Sequence, residues 1–116
     1  MENEIQELIL KLRGFALARD WGQFHSPKNL ACALSVEAAE LLEHFQWMTE
    51  EQSELLTNEK LAAVESEMAD VFNYLLYLSD RLNIDIIEAA SKKLFLNEER
   101  YPVDKVKGRS TKYTDL

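Results

Sequence analysis

Two pairs of acidic residues, Glu37/Glu40 and Glu67/Asp70, sit within the apolar faces of two long helical stretches, and few folds can accommodate that. Within each pair the spacing is i, i+3, which puts both side chains on one side of a helix. At about 100° per residue, Glu37 falls in a stripe made by Leu30, Leu34, Leu41 and Met48, with Glu40 at its edge. Glu67 falls in a stripe made by Val64, Val71, Leu75 and Leu78, with Asp70 at its edge. A surface helix keeps its acids opposite the apolar stripe. Taking a carboxylate out of water costs several kcal/mol unless it is paired or bound to metal. The only basic residues on these stripes are terminal, Lys60 and Arg81. Four acids facing a shared interior therefore call for cations from outside, and oxygen-only ligands favour Mg2+ first and Mn2+ second.

The rest of the pattern is helical. Helix one is predicted over about 3–20, with Ile5, Leu8, Ile9, Leu12, Phe15 and Leu17 inward. The segment Asp20–His25 breaks it, and Gly22 is read as the residue that lets the chain turn. Ser26 and Pro27 read as N-cap and first residue of helix two, about 27–48. Thr49 to Gln52 has the form of a capping box opening a short acidic segment. Helix three is predicted over about 59–82 and helix four over about 85–99, opened by Asp85 and Glu88. Pro102 stops helix four, leaving an irregular tail from about 100 to 116. No alternating strand pattern and no internal repeat occurs. The expectation is an all-α, single-domain, four-helix bundle over 1–116. Helices two and three, apolar almost all round, exceed what four helices can cover, so a homo-oligomer, dimer or tetramer, is expected.

Composition restricts the function. A run of about 18 apolar residues, the length of a membrane span, is absent. The N-terminal Met1–Glu4 is acidic and has no signal-peptide form, so the expected location is cytoplasmic. The one cysteine, Cys32, is read as a small buried hydrophobe. Net charge is −8, but residues 92–116 hold seven of the thirteen basic residues. An acidic body argues against a nucleic-acid polymer as partner and no membrane partner is expected. A basic tail on such a body suits a small polyanion held between the two, or is simply a solvated end.

Competing chemistries lack their residues. A di-iron bundle uses Glu-x-x-His on two helices, and neither His25 nor His44 completes that motif. There is no Gly-x-Ser-x-Gly elbow and no Gly-rich phosphate loop. Phosphates would have to be held by metal and side chains. Lys93, Asn97 and Arg100 can share one helix face, and with Tyr101 they form a candidate phosphate grip or a solvated helix end. Trp21, Phe24 and Trp47 are candidates for stacking on a base. Trp47, seven residues beyond Glu40, is placed on the same side or else in the core.

These residues together resemble the MazG-like all-α nucleoside triphosphate pyrophosphatases, most closely the dCTP-pyrophosphatase branch. The signature Glu-x-x-Glu, spacer, Glu-x-x-Asp reads here as Glu37-Ala38-Ala39-Glu40 and Glu67-Met68-Ala69-Asp70. Asp20–Leu30, Glu43–Trp47 and the pattern Lys93, Asn97, Arg100, Tyr101, Pro102, Gly108, Lys112, Tyr113 extend the likeness along nearly the whole chain. The resemblance implies hydrolysis of a nucleoside triphosphate substrate, a dNTP such as dCTP, between the α and β phosphates, for pool control or housecleaning. It implies Mg2+ (or Mn2+) at Glu37, Glu40, Glu67 and Asp70, with Glu37 or Glu40 as general base. Trp21 and Trp47 would line the base pocket, Tyr74 would pack beside the sugar, and Lys93, Asn97 and Tyr101 would contact phosphates. Two positions depart from the family. Val36 stands where longer members have a further Glu, and Leu12 stands where eukaryotic members have a pocket histidine. The competing expectation is a non-catalytic helical interaction module using the same acidic face.

Overall fold

The computed structural model describes residues 3–116; Met1 and Glu2, which begin the acidic N-terminal run, lie outside them. Among the described residues the chain is all-α, with six α-helices, two 3-10 helices and no strand. The expected four helices are thus joined by two short ones. The backbone groups into two compact units, Met1–Asn83 and Ile84–Leu116.

The first unit is built on a helical hairpin. Helix α1 spans Glu4–Ala18, α2 Pro27–Glu43, α3 Glu50–Glu54 and α4 Asn58–Arg81. Each start is fixed by a side-chain cap: Asn3 accepts from the Gln6 amide, Ser26 from Asn29, Thr49 from Gln52 and Thr57 from Lys60. Thr49 and Gln52 close both halves of a capping box. That box also explains why α2 ends at Glu43 rather than 48. Thr49 must be extended (φ −75°, ψ 166°) to cap α3, so residues 44–48 leave the helix as turns, with Phe45 N–H bonded to the Leu42 carbonyl at 2.9 Å.

Helices α2 and α4 form the core, where Leu30, Val64 and Leu76 are buried. Leu76 lies off the stripe of Val64, Val71, Leu75 and Leu78 and is covered all the same. Helix α1 joins through Ala16, its one buried residue, while Arg13 reaches Asp80 of α4 at 2.6 and 3.1 Å. Phe15 and Leu17, expected inward, are exposed. The inward row is Ile5, Leu8, Ile9 and Leu12, all half-buried, with the buried Ala16, and the other two flank it. Phe15 instead receives the edge of Trp21 at 5.4 Å and the Arg19 guanidinium at 3.7 Å. Cys32 is exposed on α2, not buried, because it lies off the Leu30–Leu34 stripe.

The turn after α1 is made by Asp20, not Gly22. Asp20 adopts the left-handed conformation (φ 55°), and Gly22 lies within the 3-10 helix Trp21–Phe24 with an ordinary φ. Asp and Asn tolerate that region better than other non-glycine residues, and Asn83 ends the unit in the same way (φ 56°).

In the second unit, Asp85 caps α5 (Ile86–Arg100), and Pro102 opens α6 (Val103–Val106) instead of an irregular tail. Proline suits a helix start because no intrahelical partner is lost there. Past Gly108 the chain returns so that Tyr113 meets the edge of Tyr101 at 5.9 Å and lies under the Arg100 guanidinium at 4.4 Å.

Candidate functional site

Three contacts fix the register of the α2–α4 hairpin. The His25 ring packs on Tyr77 with centroids 4.8 Å apart, Glu37 faces Glu67 and Asp70, and His44 Nδ1 lies 3.1 Å from Lys60 Nζ. Numbers rise on one side as they fall on the other, so the helices are antiparallel. The acids of the two pairs therefore meet midway along one seam.

Carboxylate oxygens of Glu37, Glu67 and Asp70 all lie within 4.8 Å of one another. Glu37 and Glu67 are half-buried and Asp70 is exposed. The Oε2 atoms of Glu37 and Glu67 are buried and have no hydrogen-bond partner. Two carboxylates this close are acceptors facing acceptors, and without a cation they relieve each other only by sharing a proton. Glu37 carries that strain: proton sharing with Glu67 first, then with Glu40, then burial push its pKa up to about 8. Glu40 is exposed and outside the tight trio, but near enough to act on Glu37. Orphaned buried oxygens and an all-oxygen donor set match what a hard divalent cation requires, and such a cation would displace the proton that Glu37 holds in its place.

One turn from the acids, Ala33 precedes Glu37 on α2 and Tyr74 follows Asp70 on α4. Both line a 270 Å³ cavity walled by Trp21, Phe24, His25 and Asn29. Asn29 Nδ2 donates to the Phe24 carbonyl at 3.0 Å, which holds the 3-10 helix against α2. Burial, then the nearby Arg81 charge, pushes the His25 pKa down, so the ring facing this cavity is neutral near pH 7. A second cavity of 200 Å³ between α1, the 3-10 helix and the end of α4 shares His25 and Leu30 with the first, and Gly22 forms part of its wall.

The remaining expected residues lie elsewhere. Trp47 is 88% exposed in the turn after α2. It is not core, and because α2 stops at Glu43 its helical phase relative to Glu40 does not carry over. Lys93, Asn97, Arg100 and Tyr101 belong to the second unit. There Asn97 accepts the Tyr101 amide at 2.8 Å and Arg100 lies over Tyr113. Asn29, Ala33 and Tyr77 were not singled out by sequence, nor was the Lys60–His44 contact. All depend on the hairpin register, and the one available signal was that Ala33 and Asn29 lie one and two turns before Glu37.

Residues 32–116 match the MazG-like family. The chain is 43% identical over 104 residues to dCTP pyrophosphatase 1 of Mus musculus, covering 88% of this chain and 61% of that protein. It is 40% identical over 104 residues to dCTP pyrophosphatase 1 of Homo sapiens, with the same two coverages. It thus spans about three fifths of the length of these curated relatives. The crystal structure of a pyrophosphatase from Archaeoglobus fulgidus superposes with a TM-score of 0.77 at 43% identity, covering 88% of this chain and 95% of that chain. With the family match spanning both carboxylate pairs and the structural likeness extending over most of the helices, this chain belongs to the MazG-like family.

Proposed function

We propose that the chain is a nucleoside triphosphate pyrophosphatase, one domain over 1–116. It hydrolyses deoxynucleoside triphosphates such as dCTP to the monophosphate and pyrophosphate, acts on cytoplasmic nucleotide pools, and depends on Mg2+, with Mn2+ as a substitute. The observation that carries this reading is the α2–α4 seam, where buried carboxylate oxygens without partners adjoin an aromatic cavity one turn away. The similarity to dCTP pyrophosphatases and to an archaeal pyrophosphatase supports it.

Glu37, Glu67 and Asp70, with Glu40 at their edge, would hold the cation. A divalent ion bound there supplies positive charge for the phosphate oxygens and lowers the pKa of a coordinated water. Trp21 and Tyr74 take the base and sugar in the cavity, which sets the α phosphate beside the acids. The exposed Glu40 carboxylate, outside the trio, is the acceptor for the proton of the attacking water, with Glu37 as the alternative. Lys93, Asn97, Arg100 and Tyr101, grouped on one face and the end of α5, are assigned to the phosphates, and Trp47 to the base. The exposed apolar residues Leu42, Leu61, Met68 and Phe72 are assigned to contacts within a homo-oligomer.

The test is pyrophosphate release from the four dNTPs with Mg2+ and with a chelator in its place. Chelator-sensitive turnover supports the reading. Absence of turnover with every nucleotide would leave the helical interaction module.

A further inference from the structure

Lys60 and His44 meet on the same seam, at the end opposite the aromatic cavity. Glu37 and His44 are seven residues apart on one face leading out of α2, and Lys60 and Glu67 are seven apart on α4. Lys60 Nζ stands 3.1 Å from His44 Nδ1 in a half-buried contact. A charged ammonium can only donate, so Nδ1 accepts and a neutral His44 carries its proton on Nε2. Beyond their mutual contact the pair then has donors alone to offer: two ammonium protons and one imidazole N–H, with one net positive charge.

That charge has no ion-pair partner. The chain has 21 acidic residues, yet among the described residues the ion pairs are Arg13–Asp80 and Lys92–Glu88, and Lys60 makes none. Lys60 also occupies the first turn of α4, where the helix dipole disfavours a cation. A mere tie between α2 and α4 would be served better by a lysine–carboxylate pair. An anion delivered to this point satisfies the donors, the charge and the dipole together. Open space adjoins the lysine: Lys60 borders a cleft of 590 Å³ lined by Met48, Leu55 and Leu56, with Glu51, Gln52 and Thr57 as its other polar members. From Glu67 to Lys60 is about 10 Å along the helix axis. A polyphosphate chain starting at the acids and the long lysine side chain can span that from both ends.

We propose that Lys60 and His44 form a polyphosphate subsite that receives the terminal phosphates of the substrate, opposite the aromatic cavity across the acid cluster. This rests on the pyrophosphatase reading for the direction in which the nucleotide lies. The subsite selects triphosphates, because a monophosphate anchored at the acids does not reach it.

Calorimetric titration of the full chain in Mg2+ with inorganic triphosphate, and separately with dCMP, tests this in wild type, Lys60→Met, Lys60→Arg and His44→Leu. The expected result is a loss of triphosphate affinity of roughly tenfold or more in Lys60→Met. His44→Leu should lose less, Lys60→Arg should recover part of the affinity, and dCMP affinity should be unchanged throughout. Unchanged triphosphate affinity in Lys60→Met, or an equal loss for triphosphate and dCMP, overturns the subsite. A wild type that turns over no nucleotide, yet shows the Lys60-dependent triphosphate binding, removes the pyrophosphatase reading and leaves the subsite standing.

Discussion

Glu37 and Glu67 face each other across the α2–α4 hairpin, each with one buried carboxylate oxygen that has no hydrogen-bond partner. The pair reaches this position because two Glu-led motifs on antiparallel helices fall in the same register. In the absence of a cation their proximity works against folding, and that makes the site testable by stability as well as by turnover.

Replacing one member of the trio separates these effects. Glu67→Gln or Asp70→Asn should lower kcat by at least about 100-fold, since even outer-sphere changes at metal sites cost 10- to 100-fold. The same variants should melt at a higher temperature than wild type in chelator, because a repelling charge is gone. Full activity together with an unchanged melting temperature would show that the trio is not the site.

The pH dependence of the metal-free protein follows from Glu37. Its folded pKa, about 8, lies above the ordinary 4.5, so between these values the folded chain binds more protons than the unfolded one. This contribution to stability is fully present below about 4.5 and is lost as pH rises through about 8. Melting temperature in chelator should therefore fall from pH 5 to about pH 8 and then level. Glu37→Gln should flatten the curve, and added Mg2+, which needs the deprotonated acids, should reduce or reverse the slope.

Base stacking is worth about 1–3 kcal/mol, so Trp21→Ala should raise KM for dCTP roughly 5- to 150-fold at about 1.4 kcal/mol per factor of ten. Trp47→Ala makes a cleaner probe. Its ring is so exposed that the fold should be unaffected, and any rise in KM for dCTP or dATP reports substrate contact directly. If KM is unchanged for both nucleotides, base stacking belongs to the cavity residues alone.

The exposed stripe of α4 predicts assembly. Leu61 and Met68 are 53% and 57% exposed with Phe72 beside them on one face, more contiguous apolar surface than a monomer ordinarily leaves in water. Light scattering should give the mass of a dimer or tetramer, and Leu61→Glu combined with Met68→Glu should shift it toward the monomer. A wild-type monomer at micromolar concentration would contradict the assignment.

Where the determinants are local, the sequence was readable. Ser26-Pro27 and Thr49-Glu50-Glu51-Gln52 specify helix starts through hydrogen bonds made within three residues, and both stand where read. The carboxylate faces were legible because helical phase alone puts Glu37 and Glu67 into apolar stripes. Three readings failed through competition that phase does not register. The end of α2 is dictated by the cap of the next helix, the turn falls on Asp20 although a glycine stands two residues later, and Pro102 starts a helix as well as stopping one. The cavity wall and the Lys60–His44 contact were illegible for another reason. They are products of interhelical register, which single-chain periodicity leaves undetermined.

Because the left-handed turn rests on Asp20, Gly22 is released from conformational duty. Its φ is ordinary, and a Cβ built on it meets nothing within 4 Å. It also lines the 200 Å³ cavity that shares His25 with the aromatic pocket. Position 22 is therefore an evolvable wall: a side chain there can reshape the space behind the pocket without disturbing the turn that holds Trp21. Substrate range can drift at this one residue while the carboxylates on α2 and α4 stay fixed.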